Sequence, residues 1–445
     1  MAATVPPDAP RRRIPAWAWI LAAALALRLA AAVLVTWITA RKGTLCVFPD
    51  TIIYWELARA IVAGEPFRVF QGDAPHYALR TPGYPIFLAA CRWLFGPSLL
   101  AVRIVQAGVG TLGVWLLSRL VRSAWPEDRR DGWPSLAWIA AAVMAVDPYI
   151  VGMSALVLSE AIFIPLMVAG LWAIAAAWTP RGAEPPRHPD RAAILGGLAM
   201  GAAVLARPSW LLFVPAVLAA WVIGAGRGRR GAALRGSLLV ALAMAALMAP
   251  WWVRVYRIHG RFVPTALWVG ASLYDGVGPQ ANGESDMAFV DAPDVRSLPE
   301  LEQEDAFRRR SWRSIRDDPG RILRLALVKV GRFWSPWPNA AMLRSPAIDA
   351  ASALITLPAF GLLMLGAWDR RRDFRALALL LGPLVYFCAL HSLFVSSIRY
   401  RIPGMVPALG LVAAGWVRLG AFAAPSIRSS SREGGPIDGN PPPGA

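Results

Sequence analysis

The sequence predicts an all-α polytopic membrane protein of about ten transmembrane helices, with two long external loops bearing amphipathic surface helices. Three observations predict it. Hydrophobic residues fill 56% of the 445 positions and charged residues only 17%, against about 25% charged in soluble domains. The apolar residues fall in long blocks, such as Ile14–Thr39 and Gly236–Val253, near or beyond the ~20 residues that cross a bilayer. Between the blocks, arginine-rich segments recur on alternate turns of the chain.

The spans are expected at roughly 14–40, 98–119, 134–149, 153–178, 191–206, 208–224, 236–256, 347–368, 374–394 and 401–422. The first is too long for the ~7–15-residue apolar core of a signal peptide and lacks a small-residue cleavage site, so it reads as a retained helix. The basic segments at 11–13, 122–130, 180–191, 226–235 and 369–375 fall on one side if the spans alternate. By the positive-inside rule that side is cytoplasmic, and so are both termini. This also accounts for the net charge of +18 without nucleic acid as a partner. The expected organisation is a cytoplasmic tail at 1–13, a transmembrane unit at 14–424 in the cell membrane, and a disordered cytoplasmic tail at 425–445.

Two segments on the other side, about 41–97 and 257–346, are too long to be connectors, and loops of that size are usually functional. In the first, Ile53, Leu57 and Ile61 share one helical face and Gly64 stands where a C-terminal stop belongs. Asp50, just upstream, sits where an N-cap belongs. Thr81-Pro82-Gly83-Tyr84-Pro85 then makes a turn or extended entry into a helix. In the second loop, Ser297 and Glu300 have capping-box spacing, and Pro319-Gly320 breaks the helix. Beyond it, Arg321, Arg324, Lys329 and Arg332 fall opposite Ile322, Ala326, Val330 and Phe333. That amphipathic pattern fits either anionic lipid head groups or a solvated face packed on the bundle.

The chemistry-bearing residues are few. Asp50 reads both as a helix cap and as a general base at the outer surface. Arg28, Arg103 and Arg207 interrupt or end apolar runs, where a cation needs a partner. Glu160 is the intramembrane acid available to pair with one of them, and structural pairing is the expectation for Arg28 and Glu160. Arg80, Arg207, Arg254, Arg399 and Arg401 all fall toward the outer side, where converging guanidiniums imply an anionic partner such as a lipid-borne phosphate. His391 could be a second acid/base group. The four histidines show no metal-binding spacing, no glycine-rich phosphate loop follows a strand, and the odd set of Cys46, Cys91 and Cys388 contains no CxxC pair. No metal or cofactor is therefore expected.

Taken in order, Asp50 with "YWELARAIVAGEPF", "RTPGYPIFLAA", "VLSEAIF", "GLAMGAAVLARPSWLLFVP", "APWWVRVYRIHGRFVP" and "RYRIP" resemble the GT-C membrane glycosyltransferases. The resemblance is to the superfamily of dolichyl-phosphate-mannose protein mannosyltransferases and aminoarabinose transferases, over nearly the whole chain. It implies a glycosyltransferase that moves a hexose or pentose from a polyprenyl-phosphate sugar, as substrate and not cofactor, to a glycan, lipid or protein acceptor at the external face. Asp50 would be the catalytic base. Arg80, Tyr84, Arg207, Arg254, Arg399 and Tyr400 would contact lipid phosphate or substrate, with Glu160 and His391 in support. The family often carries a second acid after the first, where this chain has Thr51. A multi-pass transporter or flippase of lipid-linked anions is the alternative, and it would show repeated halves with helices broken near the midplane.

Overall fold

Hydropathy dictates the frame. The computed structural model describes residues 15–44, 46–126, 135–179, 187–340 and 344–423. The terminal tails expected at 1–13 and 425–445 lie outside the described residues, as do parts of the basic segments at 122–130 and 180–191. Among the described residues, eight helices are long and apolar enough to cross a membrane, and one bent pair would make a ninth. The chain runs α1 (Ala16–Arg41), α2 (Asp50–Ala63), a hairpin of β1 (Val69–Gln71) and β2 (Ala74–His76), α3 (Gly83–Phe95), α4 (Leu99–Ala124), α5 (Leu136–Val146), α6 (Pro148–Ala155), α7 (Glu160–Ala177), α8 (Pro189–Ala206), α9 (Phe213–Gly224) and α10 (Arg230–His259). Then come α11 (Val269–Val277), α12 (Glu300–Asp317), α13 (Pro319–Phe333), α14 (Pro346–Asp369), α15 (Phe374–Ala376), a π-helical turn, α16 (Gly382–Leu393) and α17 (Ile398–Ala423).

Two of the expected spans take a different form. The span expected at 134–149 is the pair α5 and α6, bent by 58° at their junction, and the span expected at 153–178 is α7, which starts only at Glu160. The bend has a local cause. Asp147 caps α6 by accepting from the Tyr149 and Ile150 amides, and Pro148 cannot continue α5. The expected span at 208–224 is a 3₁₀ turn and the 12-residue α9, only about 18 Å long by helical rise.

The spanning helices are not equivalent. In α7 and α17, 72% of the spanning window is buried, against 17% in α1 and 22% in α14. Thus α7 packs on α4 and α8, while α17 packs on α14, α16 and α5, as the two inner helices. At one end of the bundle Arg375 gathers carbonyls from the last turns of α4 and α7. At the other end both inner helices begin, and the long loops cover them.

The loops follow the sequence in part. Gly64 ends α2 in the left-handed region at φ 67°, as expected of a C′ glycine. The polar stretch beyond it forms the β1–β2 hairpin, which alternation over three-residue strands could not announce. The capping box at Ser297 and Glu300 is not formed. The helix starts at Glu300 with Pro299 at its cap, and the Glu300 carboxylate instead accepts from the Tyr77 and Ala78 amides. The break at Pro319 is present, with Asp318 capping α13. On α13 the expected basic face is not intact. Lys329 is buried and donates to the carbonyls of Gly276 and Leu393, whereas Leu323 and Leu327 are exposed. Burial pushes the Lys329 amine down to about 8, against a partial rise from Asp275.

Candidate functional site

Where the two inner helices begin, five charged side chains form one chain of ion pairs. Arg207 Nη1 lies 2.9 Å from Glu160 Oε1. The same oxygen is 2.6 Å from Arg399 Nε, and Glu160 Oε2 is 3.4 Å from Arg399 Nη2, so Glu160 is gripped by the fork of Arg399. Arg399 Nη1 then reaches Asp50 Oδ2 at 3.2 Å, and Asp50 Oδ1 receives Arg80 Nη2 at 3.1 Å. Three guanidiniums against two carboxylates leave the assembly with a net charge of +1.

Helix ends explain much of this placement. Asp50 and Glu160 open α2 and α7, where the positive end of the helix dipole favours an acid. Arg207 follows the last residue of α8, where a cation is favoured. Arg399 is the exception, a cation in the first turn of α17, and two acids hold it there. Glu160 has no exposed surface; an unpaired carboxylate at that depth would be untenable, and its two arginines are what permit it.

Asp50 is not the cap that its position suggests. Pro49 occupies the cap, and the Asp50 carboxylate makes no capping bond within α2. Burial pushes its pKa up, but the Arg80 and Arg399 guanidiniums more than offset this and hold the carboxyl below its ordinary range. Thr51, where the resemblance would put a second acid, is buried and donates to the Val157 carbonyl at 2.9 Å. It fastens α2 to the turn before α7, and a carboxylate there would face a carbonyl oxygen.

Aromatic rings wall the cations. Arg80 lies over Tyr54 at 5.9 Å and Trp268 at 5.6 Å. Arg207 faces Tyr400 at 5.5 Å, and Arg399 faces Phe48 at 5.3 Å and Tyr400 at 5.8 Å. Tyr400 in turn stacks on His391 with centroids 4.2 Å apart. The His391 Nδ1 lies 2.8 Å from the Val395 carbonyl, an arrangement that makes Nδ1 the protonated nitrogen. Nothing local in the sequence marks Phe48 or Trp268 as part of this wall. Tyr54, one helical turn beyond Asp50, had the only spacing signal.

Two of the expected substrate contacts have their polar groups engaged by other partners, although the Tyr84 ring packs edge-on against Tyr54 with centroids 5.0 Å apart. Tyr84 is fully buried, its hydroxyl donating to Gln106 Oε1 at 2.9 Å. Arg254 donates to the carbonyls of Tyr77 and Phe67 at 2.8 and 2.7 Å. Arg401 likewise ends on the carbonyls of Phe333 and Ser335. The expected partnership of Arg28 with Glu160 is also not formed: Arg28 donates to the carbonyls of Ala24, Ala145 and Met144. The three arginines are thus committed to backbone carbonyls and Tyr84 to a buried amide. Among the described residues, no group of three or more His, Cys, Asp or Glu side chains stands close enough to hold a metal ion.

This geometry can be set against known proteins. Residues 79–253, a stretch holding Arg80, Glu160 and Arg207, match the family model described as dolichyl-phosphate-mannose-protein mannosyltransferase. The archaeal oligosaccharyltransferase AglB from Archaeoglobus fulgidus, in complex with an inhibitory peptide and a dolichol-phosphate, superposes with a TM-score of 0.55 at 15% identity. The match covers 92% of this chain and 52% of that one. The chain has the GT-C fold. An Archaeoglobus fulgidus oligosaccharyltransferase in the apo form agrees with a TM-score of 0.55 at 14% identity, over 91% of this GT-C chain and 51% of the other. This chain therefore spans about half the length of these oligosaccharyltransferases. ArnT from Cupriavidus metallidurans, bound to undecaprenyl phosphate, aligns at 16% identity over 92% of this chain and 79% of its own, with a TM-score of 0.45. No curated protein matches the chain in sequence.

Proposed function

We propose that this chain transfers a sugar from a polyprenyl-phosphate carrier to an acceptor hydroxyl or amine at the external face of the membrane, with Asp50 as general base. The charge of the ion-pair chain carries the proposal. A polyprenyl-phosphate sugar is a phosphodiester with one negative charge, which the net +1 of the five side chains neutralises. In the transfer, the acceptor oxygen or nitrogen forms a bond to the anomeric carbon and gives its proton to Asp50. The bond from that carbon to the phosphate oxygen breaks, and its electron pair leaves with the lipid phosphate. The phosphate becomes a dianion as Asp50 becomes neutral, so the site rises to +2 while its ligand falls to −2. Reactant and product are both balanced, and the guanidiniums stabilise charge where it develops. A single displacement inverts the anomeric configuration.

Arg80 and Arg399 serve two anions in turn. In the resting site they clamp Asp50, which is a poor base while so held. A phosphate sharing those two guanidiniums loosens the clamp and raises the proton affinity of Asp50 by its own charge. Arg80 and Arg207 each keep a buried Nε–H with no acceptor among the described residues, which suits an incoming anion. The description of the matching family and the dolichol-phosphate bound to AglB support the same substrate class. The basic segments 226–235 and 369–375 support the external location, since Arg375 meets the last turn of α7 while Asp50 meets its first through Arg399.

The test compares envelope glycans and glycolipids by mass spectrometry in a deletion strain carrying either the wild-type chain or Asp50→Asn at matched membrane levels. One sugar modification should vanish on deletion and stay at least about 100-fold reduced with Asp50→Asn, as loss of a general base implies. Full restoration by Asp50→Asn would remove Asp50 from the chemistry.

A further inference from the structure

Arg399 joins the two acids of the site, yet its position at the start of α17 is opposed by the helix dipole. Something must fix where that helix begins. Its first amide, that of Ile398, donates to Asn339 Oδ1 at 2.7 Å. Asn339 belongs to the turn after α13, so this is an N-cap supplied from another element of the fold. The other end of the amide is also used, with Asn339 Nδ2 donating to the Arg332 carbonyl at 3.3 Å. Arg332 Nε then returns to the Ser396 carbonyl at 3.2 Å, two residues before the helix. These bonds close a ring from α13 through Asn339 to α17 and back. An amide completes both halves of the ring, a carboxylate keeps the half that caps Ile398, and an aliphatic chain keeps neither.

We infer that Asn339 is a positioning residue for Arg399, setting the guanidinium that bridges Glu160 and Asp50. It touches neither the reacting atoms nor the acids. Its effect on the site passes through the first turn of α17, one residue from Arg399. The consequence for the lipid phosphate rests on the function proposed above; the coupling of Asn339 to Arg399 does not.

The experiment uses the full chain in lipid nanodiscs, with undecaprenyl phosphate as the probe and native mass spectrometry as the binding readout. Asn339→Ala should weaken binding roughly tenfold, while Asn339→Asp, which keeps the capping oxygen, stays within about twofold of wild type. A thermal-unfolding cycle pairs Asn339→Ala with Arg399→Gln. The double variant should unfold close to the worse single variant, because both changes release the same ion pairs. Full additivity would overturn the inference, as would Asn339→Ala binding the probe like wild type. If wild type does not bind undecaprenyl phosphate, the donor proposal fails and the cycle alone decides the role of Asn339.

Discussion

Arg399 and Arg375 stand at opposite ends of the bundle and use the same guanidinium differently. Arg399 meets carboxylates, Glu160 by two nitrogens and Asp50 by a third. Among the described residues Arg375 meets backbone, donating to the carbonyls of Trp178, Ala124, Ser123 and Ala175 at 2.6–3.0 Å. Arg28, Arg254 and Arg401 follow the pattern of Arg375. A main-chain carbonyl cannot leave its arginine without moving the helix that carries it. A carboxylate on a side chain can, and another anion can take its place. The comparison separates arginines that staple the fold from arginines that can exchange partners, and only the second kind suits a site that receives a phosphate.

The sharpest way to break this distinction is at Glu160. Glu160→Gln leaves Arg207 and Arg399 buried without their shared acid, and should cost about 3–5 kcal/mol of stability. The loss would appear as a lowered Tm, and undecaprenyl phosphate should restore part of it by occupying the same guanidiniums. No restoration would count against an exchangeable site. The contrasting change is Arg375→Met, expected to cost about 2 kcal/mol through carbonyls left unpaired. Here the probe should restore nothing, and its affinity should stay within about twofold of wild type. The smallest effect is in pH. Because the Asp50 pKa is held below its unfolded value of about 3.9, its pairing stabilises the fold fully above that value and is lost as pH falls through the lower folded value. Unfolding midpoints of Asp50→Asn should therefore flatten below about pH 4 relative to wild type.

Much of this was legible in the residues themselves. The spans, the two long loops, the stop at Gly64 and the break at Pro319 follow from hydropathy and local backbone chemistry. Asp50, Arg80, Glu160, Arg207 and Arg399 could be picked out because charge is rare in so apolar a chain. Their partners could not. Glu160 had several arginines to choose from, and Arg28 was as eligible as Arg207 until packing gave Arg28 three carbonyls. Tyr84 and Arg254 sat in promising motifs, yet the core claimed one and two loop carbonyls the other. Asn339 gave no signal, since its role depends on a helix 59 residues further on.

The sequence by itself therefore determined what lies in the membrane and where the charges are, because a bilayer tests each segment locally against the same apolar solvent. Only the tertiary structure decided which charges meet. Arg399 and Glu160 are 239 positions apart, and their ion pair exists because α7 and α17, the two most buried helices, begin at the same end of the bundle.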